Sequence, residues 1–261
     1  MPPTQQEKGA DFRALHEGDP FVIPNPWDAG SAKVLAGLGF KALASTSSGF
    51  AFTLGRLDGA ATLDEVVEHA GVLDRASGLP VSVDLENGYG PTARDVARAI
   101  ARVAAAGAVG ASVEDYDGRA IYPLEEAAER VAAAAEAARR LDFPFTLTGR
   151  AENHIRGRPD LEDTIARLQA YERAGADVLY APGLRDGEEI RAICDAVSKP
   201  VNVLAHRGLS LGEIVEAGGR RISVGGALTW VAAGALVDAA ERIRDRGDFS
   251  GLDRQAPTSA W

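Results

Sequence analysis

Eight short apolar runs, each followed by a longer stretch of helical composition, constrain this chain more than any other feature. The runs are Phe21–Asn25, Ala42–Thr46, Val81–Leu85, Gly110–Glu114, Phe145–Gly149, Asp177–Ala181, Val201–Ala205 and Arg221–Gly225. They show little polar alternation, as strands buried on both faces of a parallel sheet require. Helical patterns fill most of the gaps, at Leu63–Ser77, Ala93–Ala106, Leu124–Arg140, Leu161–Ala174, Gly187–Val197 and Gly212–Ala217. Gly39, Gly107 and Gly175 follow helical stretches, where a left-handed residue stops a helix. Eight parallel strands close a barrel, whereas an open doubly wound sheet uses about five or six. No Gly-x-Gly-x-x-Gly follows the first run, which removes the best support for a dinucleotide fold. The fold predicted is α/β: a single (β/α)8 TIM-type barrel in one domain spanning 1–261. The barrel proper is expected over about 12–245, after a polar N-terminal segment and before a short tail at Asp248–Trp261.

Composition narrows the partners. Lys plus Arg number 28 against 38 Asp plus Glu, a formal net charge of −10, so an acidic surface would repel nucleic acid. The single cysteine, Cys194, excludes an internal disulfide and a multi-cysteine metal knot. Met1–Pro20 lacks the apolar centre of a signal peptide, and no apolar run is long enough to span a membrane. A soluble cytoplasmic protein is expected.

Chemistry in such a barrel stands at the carboxyl ends of the strands. Those ends carry Asn25-Pro26-Trp27-Asp28, Ser45–Gly49, Asp84–Gly90, Glu114-Asp115, Arg150–His154, Tyr180, Asn202 with His206, and Gly225-Gly226. Asp84, Glu86 and Glu114 should meet at one mouth, with Asp84 and Glu86 on one face by strand alternation. Crowded carboxylates repel unless a cation intervenes, and an all-oxygen set suits Mg²⁺ or Mn²⁺. The same acids would also serve as helix caps or solvated loop charges. Arg150 can grip a carboxylate bidentately, or else close the barrel through a bridge to Glu86 or Glu152. The Ser45–Gly49 cluster could offer amides and hydroxyls to an anion, or be an ordinary turn. Cys194 reads as a core residue, and His16 and His69 as surface groups. His154 and His206 lie near the mouth without a second histidine at ligand spacing, which disfavours zinc.

Asp84-Leu85-Glu86-Asn87-Gly88-Tyr89-Gly90, Val113-Glu114-Asp115 and Gly149-Arg150-Ala151-Glu152, in that order, resemble the isocitrate lyase/phosphoenolpyruvate mutase superfamily. The opening Ile23–Ala29 and the closing Val201–Leu204 and Arg221–Gly226 are similar to its small members. The resemblance implies a Mg²⁺-dependent barrel that binds 2-oxo or 2-hydroxy carboxylates and stabilises an enolate-like intermediate. By position, it implies that Asp84 holds the metal directly. Glu86 and Glu114 would hold it mostly through water, and Asp58 would be a further acid. It implies that Arg150 grips the substrate carboxylate and that the loop of Thr46, Ser47 and Ser48 receives the oxyanion. Trp27 and Asn202 are expected to join the substrate site.

Three departures bear on the reaction. The lyases' cysteine-bearing loop after the fourth strand is absent, since Glu114 runs through Tyr122-Pro123 almost directly into the next helix. Glu86 replaces an aspartate, and Thr46-Ser47 replaces Ser-Gly. Decarboxylation of an oxaloacetate-like acid asks least of the missing loop. A retro-aldol cleavage would need a base, for which Tyr89, Tyr180 or His206 are candidates. The alternatives are C–P bond chemistry, or a barrel that binds a 2-oxo acid without turning it over. Leu228–Val237 is apolar nearly all round, so a homodimer or homotetramer burying, or exchanging, the last helix is expected.

Overall fold

A computed structural model describes residues 2–253 and residue 255. Eight parallel strands form one sheet in the order β1-β8-β7-β6-β5-β4-β3-β2. They are β1 Phe21–Ile23, β2 Leu43–Ala44, β3 Val81–Asp84, β4 Gly110–Glu114, β5 Thr146–Arg150, β6 Val178–Tyr180, β7 Val201–Leu204 and β8 Arg221–Ser223. Most observed strands stop short of the apolar runs at their carboxyl ends, because those residues already bend into the site loops. At β5 the strand instead starts one residue later and takes in Arg150. Its register sets Arg150 opposite Glu114.

The barrel is closed between β1 and β2 by single contacts. The Ala44 amide donates to the Pro24 carbonyl at 3.1 Å. The Asn25 amide donates to the Ser45 carbonyl at 3.0 Å, while its oxygen accepts from the Val224 amide at 2.9 Å. One buried side chain thus ties β1 to both neighbours.

The helices are α1 Gln5–Glu17, α2 Ala29–Gly37, α3 Ser47–Thr53, α4 Leu63–Ser77, α5 Ala93–Ala105, α6 Leu124–Arg139, α7 Leu161–Ala174, α8 Gly187–Ala196, α9 Leu211–Glu216 and α10 Ala227–Arg246. Those expected from the pattern lie within a residue of their places. Gly175 ends α7 at φ +104, a conformation that a side chain would strain. The core is the shell of Val, Leu, Ile and Ala between strands and helices, with Leu85, Ile100, Leu147, Leu168 and Leu179 all fully buried.

The N-terminal segment differs from expectation. It is a helix, started by the reciprocal hydrogen bonds of Thr4 and Glu7, and it plugs the lower end of the barrel. Phe12 is fully buried there with Ile23, Ala42 and Val109. His16 is buried too, and burial together with the Arg221 charge pushes its pKa down to about 3. His69 is likewise buried, its ring stacked 4.0 Å from that of Phe50, so neither histidine is the surface group expected. The missed helices α2 and α3 are short and lie beside strand ends. A 3₁₀ turn at Ser250–Asp253 opens the expected tail, whose residues 254 and 256–261 lie outside the described residues.

By contrast, α10 stands largely exposed, presenting Trp230, Val231, Leu236 and Val237. Among the described residues no helix is long and apolar enough to cross a membrane.

Candidate active site

The acid side of the mouth is built by a strained turn. β3 ends at Asp84, and the chain then passes through left-handed conformations at Glu86 (φ 46) and Tyr89 (φ 58). Strand alternation therefore does not bring Asp84 and Glu86 together; the turn does. The Glu86 amide donates to Asp84 Oδ1 at 3.2 Å, and the Tyr89 hydroxyl donates to Glu86 Oε1 at 2.7 Å. Each such non-glycine conformation costs on the order of 1–3 kcal/mol and persists only where its surroundings enforce it. Here the enforcing group is Arg130 on α6. Its buried guanidinium donates to the carbonyls of Asn87, Gly90 and Pro91 at 2.6, 2.7 and 3.1 Å.

Glu114, at the end of β4, donates its amide to the Glu86 carbonyl at 2.8 Å and keeps its side chain buried. Burial raises its pKa well above the usual carboxylate range, although Arg150 opposes the shift. Burial likewise lifts Glu86 to about 7; the Tyr89 hydrogen bond lowers it, while Asp84 and Asp58 raise it.

The cation side is anchored from below. Arg150 Nε donates to Glu152 Oε1 at 2.5 Å, and its Nη1 lies 3.3 Å from Glu114 and 3.5 Å from Asp84. Its guanidinium carbon stands 5.2 Å from the centre of the Tyr180 ring. Burial works against its charge, yet Glu114, Glu152 and Asp84 outweigh that and hold it firmly protonated. The bridge to Glu152 is thus present, that to Glu86 is not, and the same guanidinium also meets two of the three acids. Glu152 is fully buried, and its amide donates to Asp115 Oδ1 at 2.8 Å. Asp115 Oδ2 in turn accepts from the Tyr171 hydroxyl at 2.5 Å and from Arg167 at 3.0 Å.

Two hollows result, with Arg150 in the lining of both. An upper cavity of about 340 Å³ is lined by Ser47, Asp58, Glu86, Glu114, Arg150 and Arg156, among others. A lower one of about 60 Å³ is lined by Thr46, Asp84, Arg150, Tyr180 and Asn202, among others. Asn202 is committed to the barrel interior: its oxygen accepts from Arg221 at 2.8 Å and its amide donates to Ser223 at 2.9 Å. Ser48 packs beside Gly226 instead, and Trp27, whose Cβ packs near Gly49, lines neither hollow. Thr46 to Gly49 is not a loose turn but the start of α3, capped by Thr46 at the Gly49 amide.

The connection after β4 is a tight hairpin pinned by a Tyr116–Ile121 bridge and the Asp117 side chain. Cys194 lies in α8, half-buried, its thiol pushed up to about 11 by burial. It lines neither hollow.

Among the described residues no three Asp, Glu, His or Cys side chains stand close enough to hold an ion by themselves. The donor chemistry nevertheless fits Mg²⁺ held largely through water. Every candidate ligand is a carboxylate, and Glu86 and Glu114 keep raised pKa values that one arginine does not offset.

These elements make a TIM barrel with acids and an arginine at its carboxyl mouth. The family model described as phosphoenolpyruvate phosphomutase matches residues 12–244, and the chain belongs to that family, within the isocitrate lyase/PEP mutase superfamily. A crystal structure from Burkholderia cenocepacia J2315, described only as a lyase/mutase, is 50% identical with a TM-score of 0.95. It covers 97% of this chain and 94% of its own. The oxaloacetate decarboxylase of Marinomonas sp. (strain MWYL1) is 31% identical over 244 residues, covering 88% of this chain and 83% of its own. The structure of an oxaloacetate acetylhydrolase with the product oxalate is 28% identical at a TM-score of 0.87, covering 97% and 92%.

The site residues that sequence reasoning missed are Arg130 and Arg156; Tyr89, a candidate base in the sequence, donates its hydroxyl to Glu86. Arg156 had a signal, because it follows Glu152 by four residues, a spacing that pairs opposite charges on one helical turn. Arg130 had none, since it reaches the turn from a distant helix.

Proposed function

We propose that this protein is a Mg²⁺-dependent carbon–carbon lyase acting on a small 2-oxo or 2-hydroxy carboxylate, with decarboxylation of an oxaloacetate-like acid as the reaction that its groups serve best. The observation that carries this reading is Arg150, a cation wedged between Asp84 and Glu114 at the mouth. Asp84 would hold the ion directly, with Glu86, Glu114 and Asp58 reaching it through water. When bound, Mg²⁺ supplies a Lewis acid that stabilises the negative charge of an enolate-like state. Arg150 grips the carboxylate next to the keto group, exchanging part of its contact with Asp84 and Glu114 for the substrate. Ser47, at the start of α3, lines the same cavity and would offer its amide and hydroxyl to oxyanion charge.

Loss of carbon dioxide requires no prior removal of a carbon-bound proton, so the short hairpin after β4 is no obstacle. The names of the Marinomonas enzyme and of the acetylhydrolase support an oxaloacetate-type substrate. Incubation with oxaloacetate and Mg²⁺ should release pyruvate faster than the protein-free solution, and EDTA should abolish the difference. Binding without turnover across a panel of 2-oxo acids would instead make the protein a non-catalytic receptor.

The exposed apolar face of α10 supports assembly into a homo-oligomer. Light scattering that gives a 27.3 kDa monomer at micromolar concentration would refute it.

A further inference from the structure

We infer that Arg221, inside the barrel beneath the mouth, is an electrostatic positioning residue whose unneutralised charge favours an anionic ligand above it and opposes the metal ion. The inference rests on the reading of the mouth as a site for Mg²⁺ and a small carboxylate.

Arg221 opens β8 and is buried, as are Asn202, Thr148 and His16 around it. Its Nε donates to Asn202 Oδ1 at 2.8 Å, its Nη2 to Thr148 Oγ1 at 2.9 Å and its Nη1 to His16 Nε2 at 3.4 Å. All three acceptors are neutral. The tautomer of His16 is set by its other partner. The Phe12 carbonyl, 2.7 Å from Nδ1, can only accept, so Nδ1 carries the proton and Nε2 is left to face the arginine. Among the described residues no carboxylate pairs with Arg221, whereas Arg150 meets three. Burial lowers its pKa to about 10, which still leaves it charged at neutral pH.

A cation so buried is ordinarily set against a carboxylate, because neutral partners replace its hydration but leave its field unopposed. Packing alone asks for no charge there. The strands decide where that field acts. Thr148 stands two residues before Arg150 on β5, so both side chains face the barrel interior, and Arg221 lies a layer below Arg150. Arg150, Arg221 and Asp84 all line the lower hollow. Among the described residues of that lining, two arginines stand against one acid, which gives its walls a net positive charge. An enolate-like state adds negative charge at the mouth, and a field fixed before the reaction stabilises it without reorganisation. The same charge repels Mg²⁺. Cancelling it should therefore move the two ligands in opposite directions, which a loss of packing would not do.

The experiment measures by calorimetry, on the full chain, the binding of Mg²⁺ alone and then of oxalate at saturating Mg²⁺. Asn202→Asp turns the acceptor facing Arg221 into a carboxylate of the same shape and neutralises the cation in place, while the Ser223 hydroxyl can turn to donate. It should tighten Mg²⁺ and weaken oxalate, each by about 3- to 30-fold, the scale of one unit charge acting across a partly buried site. Its Tm should not fall. Arg221→Gln should give the same two signs, and Arg221→Lys, which keeps the charge, should hold both affinities within about threefold. Joint weakening of both ligands in Asn202→Asp would show a packing role, and unchanged affinities would show that the field does not reach the mouth. Both results overturn the inference and leave the proposed function standing. If Arg221→Gln does not fold, Asn202→Asp alone decides. Wild-type protein that binds neither Mg²⁺ nor oxalate removes the proposed function, and the inference with it.

Discussion

The loops that follow β3 and β5 face each other across one mouth, yet they are built on opposite plans. The β3 turn, Leu85–Gly90, is strained at Glu86 and Tyr89 and carries an acid whose burial holds its pKa near 7. The β5 loop has a positive φ only at Gly157 and sets its buried acid between two cations. Glu152 holds two arginines, and buried Asn153 donates to the Arg158 and Asp160 carbonyls and to the Thr164 hydroxyl. One side is charge in deficit of a partner; the other is charge already locked in position. Such a division suits a site that takes a metal ion on one wall and a preorganised anion clamp on the other.

The largest expected effect breaks the acid side. Asp84→Ala should reduce Mg²⁺ affinity by more than about a hundredfold while the fold survives, since removing one of several crowded acids relieves repulsion. Calorimetry showing unchanged affinity would end the metal assignment. Next comes the cation side. Arg150→Lys keeps the charge facing Glu152 but loses the planar fork, and should lower kcat/KM by roughly 30- to 1000-fold with Tm and Mg²⁺ affinity nearly unchanged. Early unfolding with full specific activity in the folded fraction would make Arg150 a structural brace instead.

A smaller effect sharpens the contrast through pH. The Glu86 pKa of about 7 in the fold lies above the ordinary carboxylate value of 4.5. Between those values the folded chain holds more protons than the unfolded one, so the contribution of Glu86 to stability falls as pH rises. Mg²⁺ binds the ionised form, so its affinity should rise up to about tenfold per pH unit through that window and level off above pH 7. Glu86→Gln should flatten both trends. An unaltered pH profile in that variant would place the titration elsewhere.

The barrel was legible because eight apolar runs at regular spacing admit few closures, and Asp84, Glu114 and Arg150 were legible because such a barrel displays its strand ends. Two kinds of feature were not. Glu86 was assigned to the right place for the wrong reason, because alternation says nothing of a turn whose strain is enforced by Arg130 from α6. His16 and His69 read as surface groups because their burial, against Phe12 and Phe21 and against Phe50, is a matter of packing and leaves no local pattern. The helix α1 did leave one, the Thr4-x-x-Glu7 box, which a polar composition masked.

The smallest expected effect asks whether the two sides are independent. Tyr171 is fully buried, and its hydroxyl donates to Asp115 at 2.5 Å, beneath the amide of Glu152. Tyr171→Phe keeps the ring that packs against Gly149 and removes only that bond. Asp115 retains Arg167 and the Glu152 amide, so its charge is not left bare, and the cost should be about 1–2 kcal/mol. For a chain of this size that lowers Tm by roughly 2–4 °C per kcal/mol. The β3 turn is held by Arg130 and shares no partner with Tyr171, so Mg²⁺ affinity should stay within about twofold and the effects of Tyr171→Phe and Glu86→Gln should add. If Tyr171→Phe instead weakens Mg²⁺ binding tenfold, strain passes from Asp115 through its neighbour Glu114. The acid wall and the cation wall would then be a single coupled unit.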